Sequence, residues 1–201
     1  MSVIIVGHGP SLMDAGLGKE IDAFDVVIRF STGFDWQVHK DYGSKYDVIV
    51  TSYQYMADLL NHNLYPKETW LFSRPSVMQN PYNRSFVPIR LPDRNARMMD
   101  ECSPWMEEFQ KLNPEGYRSE RHPDEAIFST GLAAIIGAAH NMPGDITAGG
   151  FDALLSGDNT NYIAKYEERP RTAYHDFAAE KKLLTMVLDR YKCKLKTLPE
   201  S

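Results

Sequence analysis

The stretch Val3-Ile4-Ile5-Val6-Gly7-His8-Gly9-Pro10-Ser11-Leu12 decides how the chain is read. Four consecutive apolar, mostly β-branched residues make a short strand buried on both faces, and two glycines then turn the chain toward a helical segment over residues 11–17. Strand, glycine loop, helix is the arrangement in which backbone N–H groups approach a phosphate at a helix N-terminus, which makes a nucleotide the natural ligand. The loop lacks the full G-x-G-x-x-G spacing and has no G-K-[ST], so a plain tight turn accounts for this motif equally well.

Outward from this unit the same alternation continues. Apolar runs at residues 25–30, 47–51, 69–72, 87–91, 145–151 and 194–198 read as strands, and residues 53–61, 98–112, 130–140 and 176–191 read as helices. That order predicts an α/β fold with a mostly parallel sheet flanked by helices. In the last helix Phe177, Leu184, Val187, Leu188 and Tyr191 share one face, while Glu180, Lys181, Asp189 and Arg190 point elsewhere. The Pro-rich stretch 74–93 and the polar stretch 113–124 read as long surface excursions, where substrate contacts commonly lie.

With 201 residues, 43% of them apolar and 24% charged, the chain fits a single soluble domain spanning residues 1–201. The longest apolar run, residues 132–139, is too short to span a bilayer, and residues 3–6 are too short for a secretory signal. A cytoplasmic protein without a membrane segment is therefore expected. Twenty-two basic residues against 27 acidic ones give a net charge of −5, which excludes the overall positive field of a non-specific nucleic-acid binder. Cys102 and Cys193 stand far apart with no second ligand at metal spacing, so reduced thiols are expected.

Two further segments carry chemistry. Ser129-Thr130-Gly131 opens a helix of small residues and offers hydroxyl and backbone donors to a nucleotide; an N-cap before a helix buried all round is the plainer account. His175 stands at the start of the final helix, where the positive helix end disfavours imidazolium and keeps the ring able to accept a proton. Glu180 is five positions on, about 140° around an ideal helix, and is expected to pin the first turn rather than orient the imidazole. No D-x-D pattern holds a metal-bound nucleotide sugar and no G-x-S-x-G elbow is present, so metal-free chemistry without a cofactor is expected and an esterase is disfavoured.

Read together, these segments resemble the sialyltransferases of glycosyltransferase family 29. Residues 6–12, 16–22, Val27-Ile28-Arg29-Phe30-Ser31 and Asp41-Tyr42-Gly43-Ser44-Lys45 look like its long sialyl motif. Ser129-Thr130-Gly131 with Gly149-Gly150-Phe151 looks like the short motif, and His175 with Glu180 like the very-short H-x-x-x-x-E motif. The resemblance implies a modified GT-A, Rossmann-like fold that binds a CMP-sugar without metal. It implies that Gly7, His8, Gly9 and Ser31 line the nucleotide and phosphate site, Ser129, Thr130 and Gly131 the cytidine and phosphate, and Gly150 the nucleotide wall. His175 would be the general base of an inverting transfer to an acceptor hydroxyl, and Tyr162 would donate to the phosphate. The chain has His8 and Ser31 where the family usually has Asn, and it lacks the family's paired cysteines, which fits a reducing compartment. Its length without anchor or stem suggests a compact microbial or viral relative. The alternatives are a glycosyltransferase using another nucleotide sugar on a hydroxylated DNA base or a polysaccharide, with nucleic acid as acceptor, and a non-catalytic nucleotide- or glycan-binding module.

Overall fold

The computed structural model describes residues 1–30, 39–53, 59, 61, 64–91, 95–115, 125–155 and 176–199. Its strands are β1 (Val3–Val6), β2 (Val26–Phe30), β3 (Val48–Ser52), β4 (Glu68–Phe72), β5 (Ala96–Met98), β6 (Ile146–Gly149) and β7 (Leu195–Leu198). Its helices are α1 (Gly18–Asp22), α2 (His39–Tyr42), α3 (Pro75–Met78), α4 (Pro81–Arg90), α5 (Ser103–Leu112), α6 (Thr130–Asn141), α7 (Asp152–Leu155) and α8 (Phe177–Tyr191), with single 3₁₀ turns at Pro10–Leu12 and Asp100–Cys102. The seven strands form one sheet in the order β5-β4-β3-β2-β1-β6-β7, and all six pairings are parallel.

β1 lies near the middle because every one of its four side chains is buried, as a parallel strand covered on both faces requires. Ile4 and Val6 pack with Leu12, Ile21, Val27 and Tyr42 on one face. Val3 and Ile5 join the larger cluster on the other, where α6 covers the sheet centre. Nine consecutive residues of α6, Gly131 to Ala139, are buried, as its small-residue sequence predicts. Full burial of Leu132, Ile135 and Ile136 contributes about 1.5–3 kcal/mol each. α8 packs beside α6 through Leu183, Leu184 and Val187. Its N-cap Asp176 accepts from the Ala179 amide at 3.0 Å, and Lys192 ends it in the left-handed region at φ 52°.

Four expectations are corrected. Residues 87–91 are no strand: they belong largely to α4, started by the Asn80 cap and Pro81, and Pro88 inside it takes away a sheet donor. The fifth strand is the short Ala96–Met98, which, with the 3₁₀ turn after it, occupies the start of the expected 98–112 helix. Residues 11–17 form only the three-residue turn, because Asp14 and Gly16 adopt φ of 58° and 69°. The Pro-rich stretch is helical rather than an open excursion. Most of the expected 53–61 helix and much of the 113–124 stretch lie outside the described residues. Among the described residues no helix is long and apolar enough to cross a membrane.

Candidate active site

In a parallel sheet the connections leave the carboxyl ends of the strands, and a crevice opens where successive connections depart in opposite directions. Here β1 to β5 run one way from β1, and β6 returns on its other side, so the switch point falls between β1 and β6. The loops that meet there are Gly7-His8-Gly9 and Gly149-Gly150-Phe151.

These loops touch through their backbones. The Gly7 amide donates to the Gly149 carbonyl at 2.7 Å and the Gly9 amide to the Gly150 carbonyl at 2.8 Å. A Cβ on Gly7 would lie 2.3 Å from the Gly150 oxygen, and Gly150 itself is held at φ 70°. One step further, an Asp152 carboxylate oxygen accepts from the Ser11 amide at 3.3 Å and the Ser11 hydroxyl at 3.0 Å. A Cβ on Gly9 would fall 1.8 Å from that oxygen. The expectation that the amides of Gly7 and Gly9 cradle a phosphate is thereby corrected: the glycines permit one loop to sit on the other, and both amides are engaged inside the protein.

His8 is buried and its Nε2–H donates to the Phe30 carbonyl at 2.9 Å, which joins the end of β1 to the end of β2. A carbonyl only accepts, so this bond fixes a proton on Nε2. Phe30 packs on Phe151 with ring centroids 5.2 Å apart. A Cβ on Gly131 would stand 3.1 Å from the Phe30 ring and 3.2 Å from Phe151, so the first turn of α6 sits against this aromatic pair. The structure thus brings Gly7, His8, Gly9, Gly131 and Gly150 together at the ends of β1, β2 and β6.

Ser129 caps α6, its hydroxyl oxygen accepting from the Leu132 amide at 3.2 Å. Its own donors go elsewhere: the amide and the hydroxyl donate to the Glu180 carboxylate at 2.8 and 2.5 Å. Glu180 is completely buried, which corrects its expected place away from the packed face of α8 and its expected task of pinning its own helix turn; Asp176 does that. Ser129 is a structural link rather than a free hydroxyl. What is left at the opening of α6 are the amides of Thr130 and Gly131, which have no intrahelical acceptor, with Thr130 part-exposed. The dipole of this 12-residue helix adds positive potential at that end.

Behind the first loop lies a set of contacts that sequence reasoning missed. The buried Tyr42 hydroxyl donates to the Gly9 carbonyl at 3.0 Å. Arg29, projecting from β2, donates to the carbonyls of Tyr42 at 2.7 Å and Lys45 at 2.9 Å. Asp22 accepts from the amides of Ser44 and Lys45, both at 2.8 Å, and Asp41 accepts from the Gly16 amide at 2.9 Å. Burial would raise the Asp22 carboxyl, but the Lys45 and Ser44 amides, the Ser44 hydroxyl and the Arg29 charge together hold it below the usual range. The one visible signal was a charged residue inside an apolar strand; the partners of Asp152 and Tyr42 left none. Ser31, Tyr162 and His175 lie outside the described residues.

The chain matches glycosyltransferase family 29 (sialyltransferase) over residues 2–191. It belongs to that family. It is accordingly a glycosyltransferase, and among the described residues Gly7–Gly9, Phe30, Gly131 and Gly149–Phe151 lie together at the carboxyl ends of the strands. Solved structures agree in fold. A mammalian sialyltransferase is 17% identical with a TM-score of 0.58 over 96% of this chain and 68% of its own. The sialyltransferase CstII from Campylobacter jejuni, solved in complex with the substrate analogue CMP-3FNeuAc, is 17% identical with a TM-score of 0.55, covering 98% of this chain and 79% of its own. CST-II in complex with a trisaccharide acceptor and CMP gives 19% identity and a TM-score of 0.54, over 98% and 81%. No curated protein sequence matches. The single parallel sheet is therefore the modified GT-A arrangement of the sialyltransferases.

Proposed function

We propose that this enzyme transfers sialic acid or a related sugar from a CMP-sugar to an acceptor hydroxyl, with inversion and without a metal ion. The observation that carries the reading is the family match across residues 2–191 on a chain whose short motif opens a long helix at the β1/β6 switch point. The first turn of α6, with Thr130 and Gly131, receives the donor phosphate, since N–H groups and dipole there favour an anion. Gly7, His8, Gly9 and Gly150 shape the nucleotide wall, with Ser31 and Tyr162 as further contacts. CMP bound to a sialyltransferase of this fold, and the CMP-3FNeuAc bound to CstII, support the choice of nucleotide.

His175 acts as the base. The acceptor oxygen forms its bond to the anomeric carbon as its proton passes to the imidazole, and the carbon–oxygen bond to CMP breaks on the opposite face. Helix-end amides stabilise the charge that develops on the leaving phosphate. The test is CMP release from CMP-sialic acid and transfer to a glycan panel, with and without chelator. His175→Ala should lower turnover by about 10²–10⁴-fold while chelator changes nothing. Undiminished transfer by the variant removes the assigned base. A thermal shift produced by UDP but not by CMP would change the donor, because a ligand of the native state raises stability in proportion to RT ln(1 + [L]/Kd). We assign the protein to the cytoplasm; fractionation that recovers it with membranes would overturn that assignment.

A further inference from the structure

Arg74 follows β4 directly, on the carboxyl edge of the sheet that also carries the site. Its neighbours fix its surroundings. Phe72 stacks on Phe128 with ring centroids 5.1 Å apart, and the amide and hydroxyl of Ser76 donate to the Glu125 carboxylate at 2.9 and 2.7 Å. Residues 72–76 therefore run beside residues 125–128, the segment that leads into Ser129-Thr130-Gly131. The Arg74 backbone is held firmly: its carbonyl accepts from the amides of Val77 and Met78, both at 3.0 Å.

Its side chain has no such anchorage. Nε is buried without an acceptor, and among the described residues the guanidinium makes no ion pair, while the residue as a whole keeps some exposure. Other arginines of the fold are occupied: Arg29 on backbone carbonyls, Arg84 on Asp100, and Arg97 on Glu101 and over the Trp70 ring. Glu125, the carboxylate brought near by Ser76, has both oxygens on that serine. A desolvated charged donor without an acceptor is costly, and such groups are retained where something outside the fold completes them. A planar guanidinium fork matches a carboxylate or a phosphate. β4 is three strands from β1, an offset of about 14 Å at ordinary strand spacing, so Arg74 stands on the same edge of the sheet as the β1/β6 crevice but apart from it.

We propose that Arg74 recognises the acceptor, binding a carboxylate or phosphate on the receiving glycan, so that the enzyme selects acidic acceptors over neutral ones. This rests on the reading of the site given above, and the test separates the two. Wild type, Arg74→Ala and Arg74→Lys are titrated calorimetrically with a glucuronate-terminated disaccharide, a phosphorylated one and their neutral counterpart, and the same sugars are offered as acceptors with CMP-sialic acid. Wild type should bind one or both acidic sugars at least tenfold more tightly than the neutral one, and Arg74→Ala should lose that preference; which acidic sugar shows it identifies the anion. Arg74→Lys should restore part of it as a less directional charge. The melting midpoint of Arg74→Ala should equal or exceed that of wild type, since a donor without an acceptor is removed. Equal wild-type affinity for acidic and neutral sugars, or an unchanged preference in Arg74→Ala, overturns the proposal, as does a melting midpoint that falls by several degrees. A wild type that releases no CMP refutes the donor assignment instead, and the titration still decides Arg74.

Discussion

Replacing Glu180 by Gln tests whether the link between α8 and the opening of α6 holds the site together. Glu180 has no exposed surface, and its carboxylate takes two hydrogen bonds from one residue, the amide and the hydroxyl of Ser129. Hydrogen bonds to a charged group contribute about 1.5–3 kcal/mol each, and a buried donor left without an acceptor adds its desolvation penalty. Gln keeps the volume and one acceptor oxygen but turns an NH₂ toward the other donor. The expected loss is one charge-assisted bond, about 1.5–3 kcal/mol. In a domain of this size that lowers the melting midpoint by roughly 3–12 °C. Circular dichroism melts and urea titrations of Glu180→Gln, Ser129→Ala and the double variant give a thermodynamic cycle. The two sites share one contact, so their effects should be non-additive, with a coupling of about 1–3 kcal/mol. Additive effects, or a Glu180→Gln protein within about 0.5 kcal/mol of wild type, the range of an ordinary surface change, would refute the reasoning.

The other predictions concern the two ends of the sheet. Asp47 is buried; burial alone would raise its carboxyl, but the Lys67 ammonium, the Val27 amide and the Lys45 charge hold it below the ordinary value. Its folded pKa is depressed, so its contribution is present above the unfolded value of about 4 and is lost as pH falls through the lower folded value. Melting midpoints measured from pH 7 to pH 2.5 should therefore fall less steeply on the acid side for Asp47→Asn than for wild type; parallel profiles would contradict the assignment. At the opposite edge, Gly16→Ala and Gly150→Ala place a side chain at similar positive φ, with open space around Gly16 and the backbone of Gly7 3.0 Å from a Cβ on Gly150. The first should cost roughly 1–2 kcal/mol and the second at least about 1 kcal/mol more; equal urea midpoints would show that the loops do not press on each other.

The parallel sheet was legible because β1, β2 and β3 are short β-branched runs with buried side chains on both faces, and alternation of such runs with helices leaves few other arrangements. What misled were residues whose local preference and final place disagree. Val87 and Ile89 favour a strand, yet the Asn80-Pro81 start carries the helix through them. Ala96–Met98 has no β-branched residue, yet it pairs with β4, where Arg97 lies over the Trp70 ring beside it. In the site, the glycines of both loops could be picked out, but not what they make room for. Gly9 is small because of Asp152, and Ser129 is engaged because of Glu180, partners 143 and 51 positions away that no local pattern reveals.

The switch point also has a history within each molecule. Val3 pairs with Val26 on one side but with Ile146 on the other, so during synthesis β1 keeps one flank bare until the far more distant β6 has followed it. Synthesis runs from the N-terminus, and ordering that joins distant segments is slow. The crevice between β1 and β6 therefore cannot close before β6 has been made. Until β6 arrives, the nascent chain offers an open apolar ribbon to chaperones and to its own neighbours on the polysome.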